Sequence, residues 1–291
     1  MFLEGNPTMP IAHVNGVDLA YEEYGSGYPL VWVHEFAGSM ESWDPQVHYF
    51  ARRYRVIVYN ARGYPPSGVP EDTSGYSQNY AVEDLHRLLR HLGIEKAHVG
   101  GLSMGGATTL QFGIRHPEMA RSLIIAAAGS GSTNPDEFRA NSRAFADDLQ
   151  RTGASAFEGY GSGATRLQLK RKDPRGYDEF MRLLKSHSPL GSAMTMRGVQ
   201  AGRPPIFDSV QGMQALRVPT LILVGDEDEP CLEPAMFMKK HIPTSGLAMF
   251  PQSGHPINLE EPALFNAIVA DFLDAVEAGR WDSRNQKSDN R

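Results

Sequence analysis

A serine between glycines, where an apolar run gives way to an amphipathic one, is the first feature of this chain that could do chemistry. The stretch reads His98-Val99-Gly100-Gly101-Leu102-Ser103-Met104-Gly105-Gly106, and Gly101, Ser103 and Gly105 follow a G-x-S-x-G spacing. In that pattern the serine sits on a sharp strand-to-helix turn with strained backbone angles, its hydroxyl clear of the sheet. Flanking glycines fit because side chains would collide within so tight a turn. The helix that follows aims its N-terminal N–H groups and positive dipole end at the serine, where negative charge could develop. Five residues alone suit an incidental serine in a glycine-rich connection equally well. The other chemical groups have to decide.

A serine hydroxyl is a poor nucleophile until a base removes its proton. The base expected here is His255, in Ser253-Gly254-His255-Pro256 directly after the last expected strand. The base needs a carboxylate to hold its tautomer and stabilise the imidazolium. Four acidic residues stand together in Gly225-Asp226-Glu227-Asp228-Glu229-Pro230. One of them should face the histidine; Asp228 is the first choice and Asp226 the second. A developing oxyanion needs two N–H donors. The amide of Met104, next after the serine, supplies one. By position the other is the amide of Phe36, in His34-Glu35-Phe36-Ala37-Gly38. The remaining histidines are dispersed without metal-ligand spacing, and Cys231 reads as a structural thiol. No metal or organic cofactor is expected.

The elements that must position these groups can be read from periodicity. Ile11–Val14 and Val17–Tyr24 flank Asn15-Gly16, a strong hairpin signal. Short apolar strands are expected at Leu30–Val33, Tyr54–Tyr59, Lys96–Gly100, Ser122–Ala128, Pro219–Val224 and Leu247–Phe250. Helical spacing marks 42–53, 80–92, 107–116, 233–241 and 262–276. From Ser130 to Leu216 the alternation breaks into helices and loops, with amphipathic helices at Phe138–Arg151 and Tyr177–Leu184. The fold class is therefore α/β: a mostly parallel eight-stranded sheet with helices on both faces. The core is expected from residues 1–129 and 217–291, with 130–216 an inserted helical cap. Active sites of such sheets lie beyond the carboxyl ends of the strands, and the Ser103, Asp228 and His255 loops all follow strands.

Composition narrows the function classes. The chain has 291 residues, 41% hydrophobic and 21% charged, and a net charge of −6. That balance suits a soluble globular enzyme and argues against a nucleic-acid partner. No apolar run approaches the roughly 20 residues that span a bilayer. A single cysteine permits no intramolecular disulfide, and residues 1–7 show no basic-then-apolar leader. The expectation is a cytoplasmic protein acting on a small molecule; self-association into a homo-oligomer stays open.

With these pieces in place, the chain resembles the α/β-hydrolase-fold enzymes from about Ile11 to Val276. The resemblance rests on five motifs in order: His34-Glu35-Phe36-Ala37-Gly38, Asn60-Ala61-Arg62-Gly63-Tyr64, Gly101-Leu102-Ser103-Met104-Gly105-Gly106, Gly225-Asp226-Glu227-Asp228, and Gly254-His255 followed by Glu260-Glu261-Pro262. The family's usual G-x-x-D acid motif favours Asp228 over Asp226. The Gly-Leu-Ser-Met-Gly-Gly elbow with a modest cap is similar to the carboxylesterase and enol-lactonase group. That resemblance implies hydrolysis of a small, largely apolar ester or lactone through an acyl-enzyme. Carbon–carbon hydrolases of ring-cleavage products share the architecture but often carry asparagine where Leu102 stands. Epoxide hydrolases and haloalkane dehalogenases use an aspartate in place of Ser103. A ligand receptor on a hydrolase scaffold is the reading from outside enzymology, and three intact catalytic groups argue against it.

One residue departs from the pattern. Family members usually read His-Gly where this chain has His34-Glu35. Either Glu35 points away, or it places a carboxylate near the substrate pocket. In the second case burial would raise its pKa and its charge would disfavour anionic substrates.

Overall fold

The computed structural model describes residues 9–283. Residues 1–7, read above for a leader, and residues 284–291 lie outside the described residues. Among the described residues eight strands form one sheet: β1 (Ile11–Val14), β2 (Val17–Tyr24), β3 (Tyr28–Val33), β4 (Tyr54–Tyr59), β5 (Ala97–Leu102), β6 (Ala120–Ala126), β7 (Thr220–Gly225) and β8 (Ser245–Phe250). Their order is β1-β2-β4-β3-β5-β6-β7-β8. β1–β2 and β2–β4 pair antiparallel, and every other neighbour pair is parallel. The first hairpin closes with Val14 opposite Val17. Its two turn residues, Asn15 and Gly16, have φ of 49° and 72°, the left-handed pair that matches strand twist.

Helices alternate with the strands. They are α1 (Asp44–Phe50), α2 (Gln78–His91), α3 (Met104–Arg115), α4 (Pro135–Thr152), α5 (Phe157–Gly161), α6 (Leu167–Lys172), α7 (Pro174–Lys185), α8 (Pro189–Thr195), α9 (Val210–Ala215), α10 (Glu229–His241), α11 (Ile257–Glu260) and α12 (Pro262–Glu277). β5 and β7 are buried along their whole length, because helices cover both faces of the sheet. Leu85, Leu88, Phe112 and Met238 of α2, α3 and α10 pack with Val31 and Ile222 of the sheet in one core. Phe265, Val269 and Phe272 of α12 pack with Trp32, Trp43 and Phe50 in the other. There the Trp32 and Trp43 rings stack with centroids 4.5 Å apart. Gly100 makes room for them, since a Cβ on it would fall 2.1 Å from the Trp32 ring.

The segment between β6 and β7 is helical, and its own apolar core includes Leu149, Phe157, Leu169, Phe180 and Leu184. That core also takes in Phe36, Tyr64 and Met104, which follow β3, β4 and β5. The helices therefore sit over the carboxyl ends of these strands. Within the stretch read as helices and loops, Phe157 anchors α5 in this core and Gly161 lies against Met181. One detail differs from expectation. Ile206, Met213 and Leu216, within the expected 130–216 range, pack in the core of the α2–α3 layer instead.

Candidate active site

Ser103 directly follows β5 and caps α3 with φ 55° and ψ −111°. A side chain rarely adopts that region, and it persists only where surroundings impose it. The surroundings here are close. A Cβ on Gly101 would meet the Gly105 carbonyl oxygen at 2.3 Å, and one on Gly105 the Val33 carbonyl oxygen at 2.0 Å. The Ser103 amide donates to the Ala126 carbonyl of β6 at 2.8 Å, fixing the turn against the sheet. Met104 is the first residue of α3, so its N–H has no acceptor inside the helix.

His255 stands on the loop after β8, and Asp228 on the loop after β7. His255 Nδ1 lies 2.7 Å from Asp228 Oδ2, with both residues buried. Asp226 is engaged elsewhere, its carboxylate accepting from the Ser253 amide at 3.1 Å. Burial opposes the charged form of His255, but the Asp228 carboxylate outweighs it and holds the imidazole pKa well above its usual value. The backbone of the histidine loop is gripped from two sides. The Gly254 amide donates to Glu260 Oε2 at 2.7 Å, and the His255 amide to the Thr165 carbonyl of the helical segment at 2.8 Å. Burial pushes the Glu260 carboxyl up to about 7.

The loop after β3 is held by its histidine. His34 Nε2 accepts from the Ala61 amide at 3.0 Å, so Nδ1 must carry the proton and donate to the Glu35 carbonyl at 2.6 Å. Tyr64 O–H donates to the Phe36 carbonyl at 2.9 Å. These bonds join His34-Glu35-Phe36 to the Asn60–Tyr64 loop and set the Phe36 peptide.

Glu35 is buried and paired. Arg166 Nη1 and Nη2 donate to its two oxygens at 2.9 and 2.5 Å, both side chains being 3% exposed. The expected rise in its pKa is reversed. Burial pushes it up, but the Arg166 guanidinium more than compensates and the carboxyl sits below its ordinary value. Glu35 also does not line the cavity beside Ser103; the Arg166 side chain does. Glu35 Oε2 is nevertheless 3.8 Å from His255 Nε2.

Ser103, Asp228 and His255 share one cavity of about 380 Å³. Its apolar wall includes Phe138, Phe145, Tyr160, Met196 and Pro230, and its polar wall Ser130, Asn141, Ser142, Gln200 and Arg203. The apolar side chains contribute the larger share of the wall. Cys231 lies behind it, buried, its Sγ 3.2 Å from the Ala127 carbonyl; burial pushes the thiol pKa up and keeps it neutral.

A sequence model of the alpha/beta hydrolase fold matches residues 28–262. The chain belongs to this family. This hydrolase is 29% identical over 237 residues to 3-oxoadipate enol-lactonase 1 of Acinetobacter baylyi, covering 81% of this chain and 84% of that one. It is 26% identical over 278 residues to the putative 2-succinyl-6-hydroxy-2,4-cyclohexadiene-1-carboxylate synthase of Bacillus subtilis, covering 92% and 99% of the two chains. The solved structure of a thermophilic esterase from Thermogutta terrifontis, with malate bound, matches it with a TM-score of 0.79. That esterase is 28% identical, with 92% of the hydrolase and 97% of the esterase covered. No helix among the described residues of the hydrolase is long and apolar enough to cross a membrane.

Sequence reasoning missed Arg166, Thr165 and Arg203. A buried carboxylate at Glu35 demands a cation, which was the available signal for Arg166. The helical segment offers several arginines, and only the folded chain distinguishes them.

Proposed function

We propose that this protein is a serine hydrolase that cleaves a carboxylic ester or lactone of a small molecule through an acyl-enzyme. Ser103 Oγ attacks the carbonyl carbon while His255 takes its proton at Nε2. Asp228, bonded to Nδ1, fixes the tautomer and stabilises the imidazolium. The amides of Met104 and Phe36 hold the oxyanion. Collapse expels the alcohol, protonated by His255, and leaves the acyl group on Ser103. Water deprotonated by His255 then releases the acid and restores the serine. The cycle balances without a metal or organic cofactor. The helical segment from about residue 130 to residue 205 acts as a cap over the sheet, with Thr165 and Arg166 completing the site from above, while Ile206, Met213 and Leu216 belong to the core.

The observation that carries this reading is the 2.7 Å His255–Asp228 pair beside a strained Ser103 in one cavity. The test is hydrolysis of a panel of p-nitrophenyl esters, lactones and ring-fission products by purified protein. Ester or lactone turnover should dominate, and Ser103→Ala should lower kcat by at least about a thousandfold. A fluorophosphonate probe should label Ser103 in the native protein. Preferred turnover of ring-fission products would move the reading to carbon–carbon hydrolysis. Full ester activity in Ser103→Ala would overturn it.

A further inference from the structure

The cavity beside Ser103 holds a second arginine, and its environment is unlike that of Arg166. Arg203 Nη2 donates to the Ser130 carbonyl at 2.9 Å. Its Nη1 is buried and has no hydrogen-bond partner. No carboxylate pairs with it among the described residues, and the Phe138 ring centre lies 5.3 Å from its guanidinium carbon. Burial pushes its pKa down to about 10, which still leaves it charged at neutral pH. On the same wall Gln200 Oε1 is buried without a partner, an acceptor that would take a donor group of the ligand and not its carboxylate, and Asn141 and Ser142 offer further polar groups.

Arg203 as a whole is only partly buried, but holding a charged Nη1 out of water without an acceptor is still costly. A counter-charge brought by a ligand removes that cost. The planar fork of a guanidinium matches the two oxygens of a carboxylate. Arg166 cannot take this role, because Glu35 already occupies its fork. We infer that Arg203 is the docking point for a carboxylate carried by the substrate, so that the ester or lactone cleaved at Ser103 is itself an acid. This rests on the serine-hydrolase reading for the chemistry at Ser103, and it names the substrate class that reading leaves open.

The test compares two p-nitrophenyl esters of similar length, the neutral valerate and the mono-ester of glutaric acid. The native protein should favour the glutarate ester in kcat/KM. Arg203→Met should cut that preference by about tenfold or more, as expected for a lost charge-assisted bond, with KM carrying most of the loss. Arg203→Lys, which keeps the charge without the fork, should fall between the two. An arginine that only tethers the Ser130 loop would alter both esters alike and leave the ratio fixed, and that result overturns the inference. Thermal unfolding of each variant checks that it is folded.

A second arm needs no turnover. Monomethyl glutarate binding to Ser103→Ala, measured by calorimetry, should weaken by about tenfold when Arg203→Met is added. No binding to Ser103→Ala, or equal binding by the two proteins, overturns the inference. Failure of both esters to turn over, with carboxylate binding that depends on Arg203, overturns the hydrolase reading and leaves the arginine site standing.

Discussion

The two arginines on the cavity wall have the same side chain, and the fold treats them in opposite ways. Arg166 delivers its fork to Glu35 with two short bonds, and the pair is almost fully buried. Arg203 has one backbone carbonyl for a partner and an unbonded Nη1. The first charge is cancelled from within, by a residue of the β3 loop 131 positions earlier in the chain. The second is not cancelled among the described residues. Arg166 is also the more deeply buried of the two, Arg203 being only partly buried; the inventory of acceptors separates their roles further. Arg166 belongs to the framework that fixes the helical segment onto the sheet, and Arg203 faces the ligand.

Breaking the first pair should produce the largest effect. Arg166→Met leaves Glu35 buried without its cation, and loss of one partner of a buried pair costs about 3–5 kcal/mol. Urea unfolding of the variant should show a drop of that size. Replacing both partners, Glu35→Leu with Arg166→Met, removes the stranded charge as well. The double variant should recover to within about 1 kcal/mol of the native protein. Equal losses in the single and double variants would show that packing, rather than charge, holds this contact.

The pair should also be visible in the pH dependence of the rate. Asp228 holds the His255 pKa above its usual value, and the general base works only when neutral. On the proposed mechanism kcat/KM therefore rises with pH along a limb above the ordinary histidine range. Glu35 Oε2, 3.8 Å from Nε2, favours the imidazolium. Glu35→Gln removes that charge, which favours neutral imidazole. The limb should move to lower pH by about one unit, or roughly 1.4 kcal/mol. A limb that stays in place in the pH–rate profile would separate Glu35 from the base.

What was legible in the sequence divides along the same line. The hairpin, the strand–helix alternation and the turn at Ser103 rest on local pattern: Asn15-Gly16, apolar runs, and glycines where a Cβ would strike backbone. Asp228 and His255 are readable as partners because each lies on a loop after a strand, and the topology sends those loops to one edge. The order within Gly225–Pro230 was harder. Asp226 and Asp228 differ only in which way a short loop turns, and the turn gives Asp226 to the Ser253 amide. Glu35 was readable as unusual but not as paired, because its partner lies in the helical segment, where spacing carries no register with the sheet. Its pKa was expected to rise with burial, and the cation that reverses this could not be seen. Arg203 left less trace still. It sits in Gly202-Arg203-Pro204-Pro205, which reads as a connection.

The smallest effect separates the two arginines most sharply. Arg203→Met removes a guanidinium that has no carboxylate to strand. What is lost is one hydrogen bond to the Ser130 carbonyl and packing over the Phe138 ring. What is gained is relief from holding a charge in a poorly solvated wall. A hydrogen bond of this kind contributes about 0.5–1.5 kcal/mol, and the desolvation it offsets has the opposite sign. The unfolding free energy should therefore change by about 1 kcal/mol or less in either direction, well short of the loss for Arg166→Met. Residues kept for a ligand commonly cost the resting protein stability in this way. A loss as large as that for Arg166→Met would mean that the resting protein already supplies Arg203 with a counter-charge, and the two arginines would then be alike.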